Sequence, residues 1–130
     1  MKRIAIEFIE NVDQRYDTCG DYWEEPQTLE MRITKYRNEK YAHLILIHEL
    51  VEMLLARQRG IKFSVIDEFD LMYLDEGEPG NDPSAPYHKE HIFATHIEKL
   101  CAQEMGVDWT EYEKTVDEGE PTEVLYEEWE

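Results

Sequence analysis

The chain has 130 residues, of which 42% are hydrophobic, so it can bury one core and is too short for two independent ones. Its 31 acidic and 13 basic side chains give a formal charge of −18. That charge excludes nonspecific binding to nucleic acid or to an anionic membrane, because phosphate groups would be repelled. The partners we expect are an unidentified substrate, cations or a basic protein.

Targeting signals and cysteine spacing indicate the compartment of the protein. No stretch approaches the roughly 20 apolar residues of a membrane span. The first ten residues, MKRIAIEFIE, carry glutamates where a signal peptide needs an apolar core. Cys19 and Cys101 lie far apart and form no CxxC pair. We therefore expect a cytoplasmic protein with two ordinary thiols and no disulfide.

Three segments near the start have the alternating pattern of β-strands. Residues 2–9, KRIAIEFI, predict a strand with one buried face. The apolar positions of that face are Ile4, Ile6 and Phe8. An aromatic stretch at residues 22–23 and the alternating residues 28–36 flank the turn-like segment EEPQ, which predicts a hairpin. We expect a small antiparallel sheet of about three strands.

The apolar pattern then takes the period of a helix. Asn38 is the expected N-cap and Gly60 the expected residue after the C-terminus of a helix of five to six turns. Ser64, with Asp67 three residues later, resembles a capping box. This spacing predicts that a second helix, SVIDEFDLMYL, begins at Ser64.

The second half of the chain is predicted to be helical after one loop. Residues 76–86 contain two glycines and three prolines and are expected to form that loop. A third helix is expected from residue 87 or 88 to residue 105, where Gly106 ends it. Asp108 is expected to cap a short fourth helix that ends at Thr115.

These elements predict one α+β domain over residues 1–116: a small antiparallel sheet packed on a buried central helix, with two to three further helices. Residues 117–130 are predicted to form an acidic C-terminal tail. Residues 108–130 hold ten acids and one lysine, so half of the net charge lies there. We expect the tail to be solvated or to serve as a docking segment.

The first helix carries polar side chains where apolar ones are expected. Nine apolar residues between Leu44 and Leu55 surround its axis in almost every direction, which predicts a central, buried helix. His48, Glu49 and Glu52 lie in the middle of this stretch. Burying them costs free energy unless they are paired, protonated or bound to a metal. His48 and Glu52 are four residues apart and project from one face.

A strand that leads into a helix reading IHELVEMLL resembles the zincin-like metalloproteins, whose motif is HExxH on a helix beside a sheet edge. The match covers roughly residues 28–56. The resemblance implies a zincin-like fold, His48 as a zinc ligand, Glu49 as the general base of a hydrolase, and a third ligand from a later helix. Glu52 stands where that family has its second histidine. A carboxylate ligand there gives a harder site that suits zinc, manganese or iron.

Further ligands are available later in the chain. His88 and His91 lie three residues apart at the start of the third helix, and His91 shares a helix edge with Glu98. His96 and His43 point away from the expected site, so we exclude both.

Acidic residues are also concentrated near the expected site. Between Phe63 and Tyr87 there are seven acids and no lysine or arginine. Asp67 and Asp70 lie three residues apart on the second helix, although helix capping would also explain aspartates there. The predicted metal ligands are His48, Glu52, His91, His88, Asp67 and Asp70. We expect a divalent ion, zinc first, with manganese, iron and magnesium as alternatives.

Three functions from different classes follow. The first is a zincin-like metal-dependent hydrolase, in which Glu49 activates water, or a metal-binding relative of such an enzyme. The second is suggested by Glu49-x-x-Glu52 and Asp67-x-x-Asp70, which are similar to the magnesium site of MazG-like nucleotide pyrophosphohydrolases. The third is a non-enzymatic acidic protein of the phage inhibitor type that binds a basic partner. The HELVE and APYHxxH stretches also resemble small uncharacterised proteins of phage and prophage genomes.

Overall fold

The computed structural model describes residues 2–73 and 77–120 of the chain. Its strands are β1 (Arg3–Ile9), β2 (Gly20–Glu24) and β3 (Thr28–Thr34). Its helices are α1 (Glu39–Gln58), α2 (Phe63–Met72), α3 (His88–Met105) and α4 (Trp109–Glu118). The α+β class is confirmed. The tail prediction falls largely outside the described residues, while α4 extends three residues beyond its predicted end.

The three strands form one mixed sheet in the order β1-β3-β2. The β2–β3 hairpin was predicted correctly: the two strands are antiparallel, with Glu24 opposite Leu29 across a short turn. The expectation of an all-antiparallel sheet was wrong, because β1 pairs with β3 in parallel, with Arg3 opposite Thr28. Residues 10–19 carry the chain from β1 past β3 to the far edge of the sheet, so β3 becomes the central strand.

The predicted buried face of β1 is only partly buried. Ile4 and Ile6 are 44% and 42% exposed, whereas Phe8 packs against the core. The main helix contacts of the sheet explain this, because α1 packs on β2 and β3. The first half of β1 therefore lies at an edge that the helix does not cover.

Local signals define most helix ends. The Asn38 side chain accepts a hydrogen bond from the Lys40 backbone, and Gly60 follows α1 with φ of 72°. Asp108 caps α4 by accepting from the Glu111 backbone. The capping box at Ser64 was wrong: α2 begins one residue earlier, and its N-cap position makes no side-chain hydrogen bond.

The helix α1 is central, as predicted. It packs most extensively on α3 and also contacts β2 and β3, so it lies between the sheet and the other long helix. The largest fully buried side chains come from β3 and α1, where the helix packs on the sheet: Met31, Ile33, Leu44 and Met53. In the part of the chain that the structure describes, no helix is long and apolar enough to cross a membrane.

Candidate metal centre

The packing of α1 on α3 brings three predicted ligands together. His48 and Glu52 project from one face of α1, and His91 projects from the first turn of α3. All three are buried, with 7%, 4% and 5% of their surfaces exposed, respectively. We call His48, Glu52 and His91 the HEH cluster.

Three side-chain atoms of the HEH cluster converge. His48 Nε2 lies 3.1 Å from Glu52 Oε2 and 3.1 Å from His91 Nδ1, and His91 Nδ1 lies 2.9 Å from Glu52 Oε2. Ligands of a tetrahedral zinc ion, at bond lengths of about 2.0–2.1 Å, are separated by roughly 3.3 Å. Shifts of a few tenths of an ångström would therefore let these atoms hold one ion.

The chemistry of the donors also suits a metal ion. Two imidazoles and one carboxylate are a set found in catalytic zinc sites and in non-haem iron sites, where they leave at least one position open. Among the described residues this is the group of His, Cys, Asp and Glu side chains whose geometry is suited to holding an ion. The donor set and the spacing therefore both fit a divalent cation.

Without a metal ion, protons satisfy the same atoms. Burial lowers the pKa of His48, but hydrogen bonds with Glu52 and Glu98 raise it to about 11. Burial raises the pKa of Glu52, but hydrogen bonds with His48 and His91 lower it to about 2. Without a metal ion, a protonated His48 ring thus pairs with the Glu52 carboxylate. A metal ion and a proton would compete for the lone pair of His48 Nε2.

Hydrogen bonds from outside the cluster hold two of its members. The Tyr22 hydroxyl donates to Glu52 Oε1 at 2.7 Å. His48 Nδ1 lies 2.7 Å from Glu98 Oε1, and the Tyr112 hydroxyl donates to Glu98 Oε2 at 2.5 Å. These contacts come from β2, α3 and α4, so the cluster is anchored by most layers of the fold.

The loop before α3 packs directly on His91. A Cβ atom at Gly80 would lie 2.4 Å from the Cγ and Nδ1 atoms of the His91 ring, which is far inside van der Waals contact. Gly80 is buried, and its carbonyl oxygen lies 2.9 Å from His88 Nδ1. The absence of a side chain at this position therefore allows the backbone to cover the imidazole.

A cleft of about 1130 Å³ lies beside the cluster. Glu52 lines it, together with Glu49, Asp70 and four tyrosines, Tyr16, Tyr22, Tyr36 and Tyr87. Among the described residues that line it there are twelve acids, one lysine and no arginine. Glu52 is thus shared by the cluster and by a strongly acidic cleft.

Glu49 is half-buried and lies in this cleft. Burial and the charge of Glu52 raise its pKa above the ordinary value. A Cβ atom at Gly20 would lie 2.7 Å from Glu49 Cγ, so the glycine leaves room for the side chain. The carboxyl group of Glu49 is therefore placed on the same side of α1 as the open cleft.

The structure does not bring His88 into the HEH cluster. Its Nδ1 atom lies against the Gly80 carbonyl oxygen, so the ring binds the loop that covers His91. The excluded His96 is exposed, and His43 contacts the Phe8 ring.

The two aspartates of α2 also lie outside the HEH cluster. Asp67 forms an ion pair with Arg15, at 3.2 Å, and Arg15 also binds the buried Asp21 at 2.7 Å. Asp70 accepts hydrogen bonds from the hydroxyls of Tyr16 and Tyr87. Burial raises the pKa of Asp70 to about 7 although the Tyr87 bond opposes the shift. Both aspartates therefore already have hydrogen-bonding partners outside the HEH cluster.

Sequence reasoning missed four residues that contact the cluster or hold its members: Tyr22, Gly80, Glu98 and Tyr112. Glu98 had a signal, because it lies two helical turns after His91 on the same edge of α3. The two tyrosines and the glycine come from other elements, and no local pattern marks them.

Comparisons with protein-family models, with curated proteins and with solved structures found no match. The functional argument therefore depends on the geometry of the HEH cluster and of the acidic cleft.

Proposed function

We propose that the protein binds one divalent metal ion through His48, Glu52 and His91, and that it acts as a metal-dependent hydrolase. The observation that carries this proposal is the convergence of three buried ligand atoms within 3.1 Å of one another. Zinc is the first candidate, and iron and manganese are alternatives for the same donors.

The position of the cluster supports a catalytic rather than a purely structural site. Structural zinc sites use four protein ligands, whereas catalytic sites use three and leave one position for water or substrate. Here three side chains converge, and one of them, Glu52, also lines the cleft. A substrate in the cleft would therefore reach the ion from the side of Glu52.

Glu49 is the proposed general base. It follows His48 directly and lies in the cleft, and burial raises its pKa, which makes its carboxylate a stronger base toward an attacking water. When bound, the ion would act as a Lewis acid that stabilises negative charge developing on the substrate. The assignment agrees with the role of the glutamate in HExxH proteins.

The positions of the proposed ligands in the fold support the zincin-like interpretation. α1 carries HELVE and packs beside the sheet, and the third ligand, His91, comes from a later helix. Glu52 replaces the second histidine of that motif and supplies a carboxylate ligand in its place. This substitution keeps the number of protein ligands at three.

The acidic cleft counts against the nucleotide pyrophosphohydrolase alternative. Such an enzyme must hold a triphosphate, and one lysine among the lining residues is too little positive charge for that purpose. Asp67, a member of the second acidic pair, is bound to Arg15. Both observations favour the HEH cluster over a magnesium site that joins α1 to α2.

The test is a Glu49→Gln variant beside a Glu68→Gln control on the exposed surface of α2. Wild-type protein loaded with Zn²⁺, Mn²⁺ or Fe²⁺ would be incubated with a mixture of unfolded peptides, and the products followed by mass spectrometry. We expect hydrolysis by the wild type and by the control. The Glu49→Gln variant should keep its metal and lose about 100-fold or more of the rate.

Other outcomes would point elsewhere. Magnesium-dependent release of pyrophosphate from nucleoside triphosphates would favour the pyrophosphohydrolase. A salt-sensitive complex with a basic protein, unchanged in His48→Ala, would favour the acidic interaction protein. A metal-loaded wild type that cleaves no peptide, ester or nucleotide would refute the hydrolase and leave only metal binding.

A further inference from the structure

A second carboxylate lies behind the HEH cluster, away from the cleft. Glu98 is 8% exposed, and its Oε1 atom is 2.7 Å from His48 Nδ1. Its other oxygen accepts a hydrogen bond from the Tyr112 hydroxyl. Within residues 2–73 and 77–120, no lysine or arginine forms an ion pair with it. Its one charged contact in this part of the chain is thus the imidazole of a proposed ligand.

The contact determines which nitrogen of His48 can face the cluster. A carboxylate only accepts hydrogen bonds, so His48 Nδ1 must carry the proton that it donates to Glu98. The neutral ring then has its lone pair on Nε2, the atom that lies 3.1 Å from both Glu52 and His91. Glu98 therefore selects the tautomer of His48 that can bind a metal ion.

Tyr112 fixes the orientation of Glu98. Its hydroxyl holds Oε2 while His48 holds Oε1, so the carboxylate cannot turn without losing one of two buried hydrogen bonds. Tyr112 is itself 3% exposed, and its ring packs against Tyr41 of α1 and Trp109 of α4. The orientation of the His48 ring is thus connected to the packing of α4.

Charge balance gives Glu98 a second role. Two neutral imidazoles and the carboxylates of Glu52 and Glu98 carry two negative charges in a buried site. A divalent ion brings this set to zero, whereas a monovalent or trivalent ion leaves a net charge that burial penalises. The set of buried groups therefore favours an ion of charge +2.

We propose that Glu98, oriented by Tyr112, is the positioning carboxylate of the metal centre: it fixes the tautomer of His48 and completes the charge balance for a divalent ion. This inference rests on the proposed metal binding by the HEH cluster. In known metal sites such outer carboxylates orient the histidine ligand, and their loss weakens metal binding by about 10–100-fold.

The test is the Zn²⁺ affinity of the full chain, measured by competition with a chromophoric chelator. We expect Glu98→Ala to lose about 100-fold and Glu98→Gln about tenfold, because glutamine keeps one acceptor but no charge. Tyr112→Phe should lose affinity by about threefold, since it removes one hydroxyl and leaves the carboxylate.

The matched control is Glu90→Gln. Glu90 is another buried glutamate of α3, 4% exposed, but it pairs with Arg59 rather than with a histidine. Its substitution should leave the Zn²⁺ affinity unchanged even where it lowers the melting temperature. A loss of metal binding that merely follows loss of stability would appear in this variant as well.

Co²⁺ absorption gives a second readout that a purely structural role would not alter. We expect the visible bands of the Co²⁺-loaded protein to shift in Glu98→Gln and to stay unchanged in Glu90→Gln. This inference alone would be overturned if the wild type binds Zn²⁺ and if Glu98→Gln and Tyr112→Phe both have the wild-type affinity and spectrum. Wild type that binds no metal would overturn the proposed function with it. If Glu98→Ala does not fold, Tyr112→Phe and Glu98→Gln decide the question.

Discussion

The HEH cluster and the aspartates of α2 are both polar groups beside the same cleft, yet only the first is arranged to hold an ion. In the HEH cluster, three atoms from α1 and α3 converge. On α2, Asp67 is bound to Arg15 and Asp70 to two tyrosine hydroxyls. Both sets satisfy the general rule that buried polar groups are paired.

The two groups differ in whether their paired atoms can still bind a metal ion. A guanidinium that bridges Asp67 and Asp21 already supplies the positive charge that a metal ion would bring. In the HEH cluster the partners are imidazoles, which can exchange a proton for a metal ion after shifts of a few tenths of an ångström. Acidic residues near a cleft therefore do not define a metal site by themselves; their oxygen atoms must also converge with other ligand atoms, as in the HEH cluster.

The largest expected effect separates the two groups by metal affinity. His91→Ala removes a proposed direct ligand. Its Zn²⁺ affinity should therefore fall further than that of a variant without an outer carboxylate, by more than about 100-fold. Asp67→Asn should remain within about threefold of wild type, because Asp67 faces Arg15. Isothermal titration with Zn²⁺ measures both. Equal losses in the two variants would contradict the distinction.

The second effect tests the loop that covers His91. Gly80→Ala would place a Cβ atom 2.4 Å from the ring, so the imidazole must shift. We expect a destabilisation of about 1–3 kcal/mol and a loss of Zn²⁺ affinity of about tenfold. Denaturant unfolding and chelator competition measure the two quantities.

Gly77→Ala is the control in the same loop. Gly77 has φ of 94° and nothing within 4 Å of its added Cβ, so alanine strains the backbone there without touching the ring. Its Zn²⁺ affinity should stay at the wild-type value. An affinity loss as large as that of Gly80→Ala would show that loop strain, and not the His91 contact, is responsible.

The third effect concerns stability on the α2 side. Arg15→Ala leaves the carboxylate of Asp21, 2% exposed, without its cation and should cost about 3 kcal/mol. Arg57→Ala breaks an exposed pair with Glu24, which solvent screens, and should cost much less. Urea unfolding compares them. Zn²⁺ affinity should be unchanged in both variants, and a loss in Arg15→Ala would link the two regions.

The smallest effect is a pH dependence of Asp70. Its folded pKa is about 7, above the ordinary 3.8, so its protonated form stabilises the fold fully below about pH 3.8 and this stability is lost as the pH rises to about 7. Asp70→Asn does not titrate. Relative to wild type in EDTA, it should become more stable as the pH rises across this window.

Asp82→Asn is the control of opposite sign. The Ser84 hydrogen bonds lower the pKa of the exposed Asp82 carboxyl, so its stabilisation is present above the ordinary value and is lost as the pH falls. Thermal melts from about pH 2 to pH 8.5 follow both variants, because the effect of Asp82 lies below its ordinary pKa. A constant difference between Asp70→Asn and wild type over this range would refute the burial of an uncompensated charge at Asp70.

The sequence predicted what depends on neighbours along the chain. Asn38 and Gly60 mark the ends of α1 because caps and left-handed glycines act within one turn. His48 and Glu52 could be placed together for the same reason, since a four-residue spacing determines a shared helix face. His91 was a candidate because the zincin resemblance implies a third ligand from a later helix, and the structure places it beside His48 and Glu52.

The features that sequence reasoning got wrong depend on contacts between distant segments. The parallel pairing of β1 with β3 is decided by the path of residues 10–19, which carry no distinctive pattern. Arg15 lies in that same connection, 52 residues before Asp67, so nothing local could show that the two form an ion pair. The pairing of Asp67 was therefore missed for the same reason as the strand pairing.

The most direct test of the account is the metal content of untagged protein, measured by inductively coupled plasma mass spectrometry after Zn²⁺ loading and gel filtration. The account predicts close to one equivalent per chain, a melting temperature that falls when EDTA removes the metal, and no bound metal in His48→Ala. A wild type that retains no stoichiometric metal, with a melting temperature indifferent to EDTA, Zn²⁺, Mn²⁺ and Fe²⁺, would contradict it.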